Sequence, residues 1–186
     1  MEPLKINLSD YGVTLHLVRH GQDDRDHVGG WSDNHLTPYG IKQIQDLSPQ
    51  IDDDYDIVVA SDLIRTQETV QILNCKLNKE IILDPGFRET DNGIYKNMLK
   101  EDFKNQHLRK FTELDPDEKF GGGDSPISFG KRVTEAFIKL LENNRNKKIL
   151  LVTHGGVITV ILCLIKGIPK TNKLNLKPGT GTLIKL

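Results

Sequence analysis

Short apolar runs alternate along this chain with longer segments whose apolar residues recur every three or four positions. Residues 14–19 (TLHLVR), 57–60 (IVVA), 81–83 (IIL) and 149–152 (ILLV) read as strands, and 182–186 (TLIKL) as a final edge strand. The second run is β-branched and apolar on both faces, as a strand covered from both sides must be. Between the strands the period lengthens. Residues 37–47 predict a helix with Thr37 as N-cap, Pro38 at the first helical position and Ile41, Ile44 and Leu47 on one face. Ser61 or Asp62 is placed to cap the next helix, whose apolar side carries Leu63, Val70, Leu73 and Leu77. Ser125 caps a long helix to about Asn143 that begins with Pro126 and buries Phe129, Val133, Phe137, Leu140 and Leu141. A last, strongly apolar helix starts at Gly156. The charged stretch 88–123 lacks a strong period and is expected to hold one helix near 98–111.

Strand–helix alternation predicts an α/β fold: a three-layer sandwich with a mostly parallel central sheet and helices on both faces. No repeat or linker divides the chain, so residues 1–186 are expected to form one domain, with Gly121, Gly122 and Gly123 as an internal turn. Composition narrows the class. A formal net charge of -1 provides no global basic field, which argues against nucleic acid as a partner, so any attraction for an anion must be local. The apolar run 155–165 is too short to cross a bilayer, and the N-terminus lacks a signal-peptide core, so a cytoplasmic location without membrane attachment is expected. Cys75 and Cys163 have no metal-binding spacing and are expected as small buried hydrophobes in a reducing compartment.

The chemistry lies at the predicted strand ends, where open parallel sheets bind ligands. The first strand ends in Arg19-His20-Gly21-Gln22, the second in Ser61-Asp62 with Arg65 a turn further, the third leads to Arg88-Glu89, and the fourth ends in Thr153-His154-Gly155-Gly156. Guanidinium groups bind phosphate oxygens in pairs. One histidine can attack while the other donates to developing charge, and a carboxylate can supply the proton a leaving oxygen needs. Phosphoryl transfer through a phosphohistidine follows, with Arg19, Arg65 and a protonated His154 supplying positive charge in place of a metal or cofactor.

The motifs LVRHGQ, SDLIRTQET, FRETDNG, GGGDS and VTHGG, in this order, resemble the histidine phosphatase superfamily, which has the phosphoglycerate-mutase-like fold. The resemblance implies that His20 is the phosphorylated residue, that Arg19 and Arg65 bind phosphate, that His154 is the second histidine and that Glu89 is the proton donor. Gly21, Gln22, Arg25 and Gly155 complete the expected substrate contacts, Gly21 by letting the backbone turn.

The segment after Gln22 departs from the family. Asp26 falls where an asparagine usually touches phosphate, so that role is not transferred to it. Arg25 is a candidate replacement cation, while Asp23, Asp24 and Asp26 read as a solvated acidic turn. Trp31 is expected either to line the pocket or to pack the loop, and Asp91 to cap a turn. Lys96, Lys100, Lys104, Arg109 and Lys110 are offset by nearby acids and read as a solvated mixed-charge surface. Mutases of the superfamily carry a C-terminal cover. This chain ends on TGTLIKL and has only 95–123 as a lid, which favours hydrolysis of a small phosphate ester over phosphoglycerate-type mutation or non-catalytic phospholigand binding.

Overall fold

The computed structural model describes residues 4–169 and 178–186. Five strands, β1 (Thr14–Arg19), β2 (Ile57–Ala60), β3 (Ile81–Leu83), β4 (Lys148–Thr153) and β5 (Leu183–Lys185), form one sheet in the order β3-β2-β4-β1-β5. β3, β2, β4 and β1 are mutually parallel, and β5 is an antiparallel edge on β1. The helices are α1 (Pro38–Leu47), α2 (Ile64–Leu77), α3 (Lys100–Asn105), α4 (Pro126–Asn143) and α5 (Gly155–Lys166).

Strand alternation divides the core. Leu15 and Leu17 of β1 join Ile149 and Leu151 of β4 beneath Phe129, Val133 and Phe137 of α4 and Val157 and Ile161 of α5. Val18, Val58, Leu150 and Val152 face the other way, against Ile44 and Leu47 of α1 and Val70, Leu73 and Leu77 of α2. The expected three layers are present. The helices that follow β1 and β2 cover one face and the helix after β4 covers the other. The crevice that such divergence opens lies at the carboxyl ends of β1, β4 and β2.

Local signals held where the chain carries its own caps. The Thr37 side chain accepts the Gly40 N–H at the start of α1, and Ser125 and Ser128 exchange reciprocal bonds at the start of α4. Four readings are corrected. Ile41 is exposed, because the buried stripe of α1 runs through Gly40, Ile44 and Leu47. Neither Ser61 nor Asp62 caps α2, which starts at Ile64 behind a buried Leu63 without a side-chain cap. The expected helix over 98–111 shrinks to α3, since Leu99 pairs with His27 in an isolated bridge and the chain turns again after Asn105. Cys75 is exposed on α2, whereas Cys163 is buried in α5 as expected. Among the described residues no helix is long and apolar enough to cross a membrane.

Candidate active site

Parallel register brings the two histidines together. Arg19 pairs with Thr153, so His20 and His154 leave neighbouring strands at the same level, and the His20 N–H donates to the Thr153 carbonyl at 3.0 Å. Their rings lie 5.1 Å apart, and both residues are buried. On the other side of β4, Ala60 pairs with Val152, which sets Ser61 beside His154. The strand order thus lines up Ser61, His154 and His20.

His20 Nδ1 lies 2.7 Å from the Gly21 carbonyl. A carbonyl can only accept, so the ring proton sits on Nδ1 and the lone pair on Nε2. The Gly21 N–H is held in turn by Thr69 Oγ1 of α2 at 3.1 Å. A Cβ on Gly21 would stand 2.5 Å from the Gly40 carbonyl, and one on Gly40 would stand 2.1 Å from the Gln22 carbonyl. Both positions therefore need glycine because the backbones touch, not because of a tight turn. Gln22 is anchored to α1 through Gln43 and Thr37.

His154 Nε2 is 2.9 Å from Ser61 Oγ. Ser61 Oγ accepts the Leu63 N–H at 3.4 Å and retains both its proton and a second lone pair for the His154 ring. Nδ1 of His154 is buried and has no hydrogen-bond partner among the described residues. Burial holds the His154 pKa well below the ordinary histidine value, and the charges of Arg65, His20 and Arg19 lower it further. Burial and these neighbouring charges favour the neutral ring, against the expectation of a protonated His154.

Arg65 is 2 % exposed. Its terminal nitrogens donate to the Ser32 carbonyl at 3.1 Å, to Ser32 Oγ at 3.3 Å and to the Gly30 carbonyl at 2.7 Å, while Nε has no hydrogen-bond partner. Arg19 donates from one terminal nitrogen to the Pro178 carbonyl, and its buried Nε has no hydrogen-bond partner among the described residues. Glu89 stands across from them. Gly156 N–H donates to its Oε2 at 3.0 Å and Thr90 N–H to its Oε1 at 3.1 Å.

Several residues that sequence reasoning did not place have defined jobs here. Arg132 of α4 donates to the carbonyls of Gly86, Arg88 and Glu89 and to Asp124, tying the Glu89 segment to the helix. Asp124 of the GGGDS motif also accepts the Asp91 N–H at 3.0 Å. Trp31 donates to the Glu89 carbonyl at 2.7 Å and lies under Arg88, so it packs the loop. Arg132 stands three residues after Phe129, beside the buried stripe of α4, while Lys131 is exposed; that spacing and Asp124 eight residues upstream were the available hints. Asp91 caps the turn at Gly93 as expected. Arg25 is exposed on an adjoining open groove shared with Gln22, Asp24 and Asp26. Asp24 accepts the Asp26 N–H at 2.7 Å in an ordinary turn, but Asp23 is not solvated: its Oδ2 lies 3.4 Å from Arg65 Nε. Gly155 is buried at the start of α5.

Buried N–H donors that lack a hydrogen-bond partner among the described residues, beside a polarised histidine, fit a tetrahedral oxyanion. In sequence, the chain is 26% identical over 164 residues to "Probable phosphoglycerate mutase GpmB" of Proteus mirabilis, covering 84% of this chain and 76% of that one. In structure, it superposes on the alpha-ribazole phosphatase of Shigella flexneri with a TM-score of 0.81 at 23% identity, covering 92% and 89% of the two chains. With phosphoserine phosphatase of Entamoeba histolytica, solved in complex with 3-phosphoglyceric acid, the TM-score is 0.78 at 26% identity over 93% and 89%. A family model matches residues 15–186, and the chain belongs to the histidine phosphatase superfamily (branch 1).

Proposed function

We propose that this chain hydrolyses a small phosphomonoester through a phosphohistidine on His20. The observation that carries the reading is the set of buried nitrogens without a hydrogen-bond partner among the described residues, Arg19 Nε, Arg65 Nε and His154 Nδ1, around a histidine whose lone pair is directed to Nε2. Unpaired buried donors are expensive unless a ligand satisfies them.

In this reading the phosphoryl group lies among those donors. Nε2 of His20 forms a bond to phosphorus as the ester P–O bond breaks, and Glu89 gives the departing oxygen its proton. Water then attacks the phosphohistidine, Glu89 takes the proton back, and inorganic phosphate leaves. The Gly21 carbonyl holds Nδ1–H and steadies the positive charge that the ring gains. Neutral His154 donates from Nδ1, and Arg19 and Arg65 carry the cationic charge. Gln22 and Gly155 are assigned to the pocket wall. Arg25, on the adjoining groove, is assigned to the leaving group. Segment 95–123 is assigned as cover: Val28 N–H donates to the Met98 carbonyl and Asn97 N–H to the Val28 carbonyl, which couples it to the loop after His20. An exposed Cys75 thiol suits a reducing, cytoplasmic setting.

The relatives named as mutases favour a second reading, in which the phosphoryl group returns to another hydroxyl of the substrate. A screen of phosphomonoesters, sugar phosphates, phosphoserine, α-ribazole phosphate and phosphoglycerates among them, separates the two. Inorganic phosphate release at the rate of ester consumption supports hydrolysis. Exchange between glycerate hydroxyls without release establishes mutation, and neither outcome with any ester removes both.

A further inference from the structure

We propose that Asp23 is an internal counter-anion of the phosphate pocket, which offsets Arg65 when the pocket is empty and weakens its hold on a dianionic oxyanion, making Asp23 a specificity-determining residue. The inference rests on the oxyanion site proposed around His20.

The geometry separates charge from attachment. Asp23 Oδ2 is 3.4 Å from Arg65 Nε, and the two side chains are 19% and 2% exposed. The pair is close, yet Nε makes no hydrogen bond. The guanidinium is held instead by Gly30 and Ser32, so it keeps its place without Asp23. Asp23 therefore acts through its charge. In the empty pocket it offsets the penalty of burying Arg65. When a phosphate dianion settles on the same guanidinium, Asp23 becomes a like charge at close range.

The groups that face Asp23 are Arg65 of α2, Arg19 at the end of β1 and Lys100 of α3. Glu89, across the pocket, faces the same two arginines. Burial disfavours the Asp23 carboxylate more than Arg65, Arg19 and Lys100 favour it, so its pKa lies above the ordinary value. Acidification thus neutralises Asp23 sooner than it would an ordinary aspartate and lifts the repulsion. An ester in its monoanionic form, or a leaving group carrying a compensating positive charge, suffers less from Asp23 than a plain dianion does.

The probe is sulfate, a tetrahedral dianion throughout the neutral and mildly acidic range. Its dissociation constant is measured by calorimetry for wild type, Asp23→Asn and Asp23→Thr at neutral pH and in mild acid. At neutral pH both variants are expected to bind sulfate at least about tenfold tighter, the scale set by removing one unit charge a few ångströms from another at a protein-like dielectric. Their melting temperatures without sulfate should fall, because Arg65 loses its counter-charge. On acidification the wild type should converge on the variants. His20 and His154 are present in all three proteins, so the ratio isolates Asp23. Unchanged or weaker sulfate binding in both variants, or a ratio that does not change with pH, overturns the proposal. The readout needs no turnover. A protein that shows the shift but releases phosphate from no ester refutes the proposed hydrolysis and leaves this inference standing; active hydrolysis without the shift does the reverse.

Discussion

A proton on Nδ1 of His20, held by the Gly21 carbonyl, decides which ring nitrogen can attack. His20→Ala is therefore expected to abolish turnover and, with labelled substrate and an alkaline quench, to leave none of the acid-labile, base-stable phosphoenzyme that the wild type forms; label retained on the variant would exclude His20. Glu89 is tested by leaving group. An alkoxide needs a proton to depart and a nitrophenolate does not, and such general-acid help is worth roughly 10²–10⁴ in rate. Glu89→Gln should slow the phosphorylation burst strongly with an alkyl phosphate and weakly with p-nitrophenyl phosphate. Equal slowing would shift attention to Asp91. His154 makes a prediction about stability. Burial first, then Arg65, His20 and Arg19, hold its folded pKa well below the unfolded value of 6.5. Below that pH the unfolded chain takes up a proton that the folded chain does not, so stability declines as pH falls until the folded pKa is reached. His154→Gln should lose this part of the acid slope in thermal unfolding; slopes identical to wild type would contradict a buried neutral ring.

At the scale of elements, α5 and α4 set where Glu89 sits. The first turn of α5 donates Gly156 N–H to the carboxylate, and a Cβ at Gly156 would stand 2.2 Å from Glu89 Oε1. Gly156→Ala suits the helix better than glycine does, yet it must push Glu89 away. Alkyl-phosphate turnover should fall by about 10²-fold, the low end of general-acid help, with little change in melting temperature. A fully active Gly156→Ala enzyme would mean that Glu89 does not need this position. On α4, the Ser125–Ser128 box closes the N-terminus over Asp124. Ser125→Ala should lower unfolding free energy by about 1 kcal/mol, measurable by urea titration, and should disturb the Asp124–Arg132 tie to the Glu89 segment.

Across the whole molecule, four parallel strands deliver chemistry from distant parts of the chain to one sheet edge. Arg19 and Arg65 carry the positive charge the proposed reaction needs. Turnover should therefore be unchanged by EDTA; loss of activity restored by magnesium or zinc would overturn this. The long α4 explains its own legibility. Its apolar period, serine cap and N-terminal proline agree with each other, and the residues expected to be buried are those that the sheet covers. The stretch after Glu89 had no such agreement. Its order comes from Arg132, Asp124, Trp31 and close glycine contacts, which join positions far apart in sequence.

Strand periodicity, turn residues and the charged residues after each strand were determined by the sequence itself, because they follow from bonds and side chains a few positions apart. Those signals were enough to name Arg19, His20, Arg65, Glu89 and His154 as candidates. Which strands are neighbours was decided only in the folded protein, where β4 inserts between β2 and β1 and sets Ser61, His154 and His20 in a row. The same holds for charge. His154 looked like a cation, but burial beside Arg65 and Arg19 disfavours its charged form, and Asp23 looked solvated until the loop laid it beside Arg65. Ionisation depends on desolvation and on charges brought close by tertiary packing, and neither quantity exists along an extended chain.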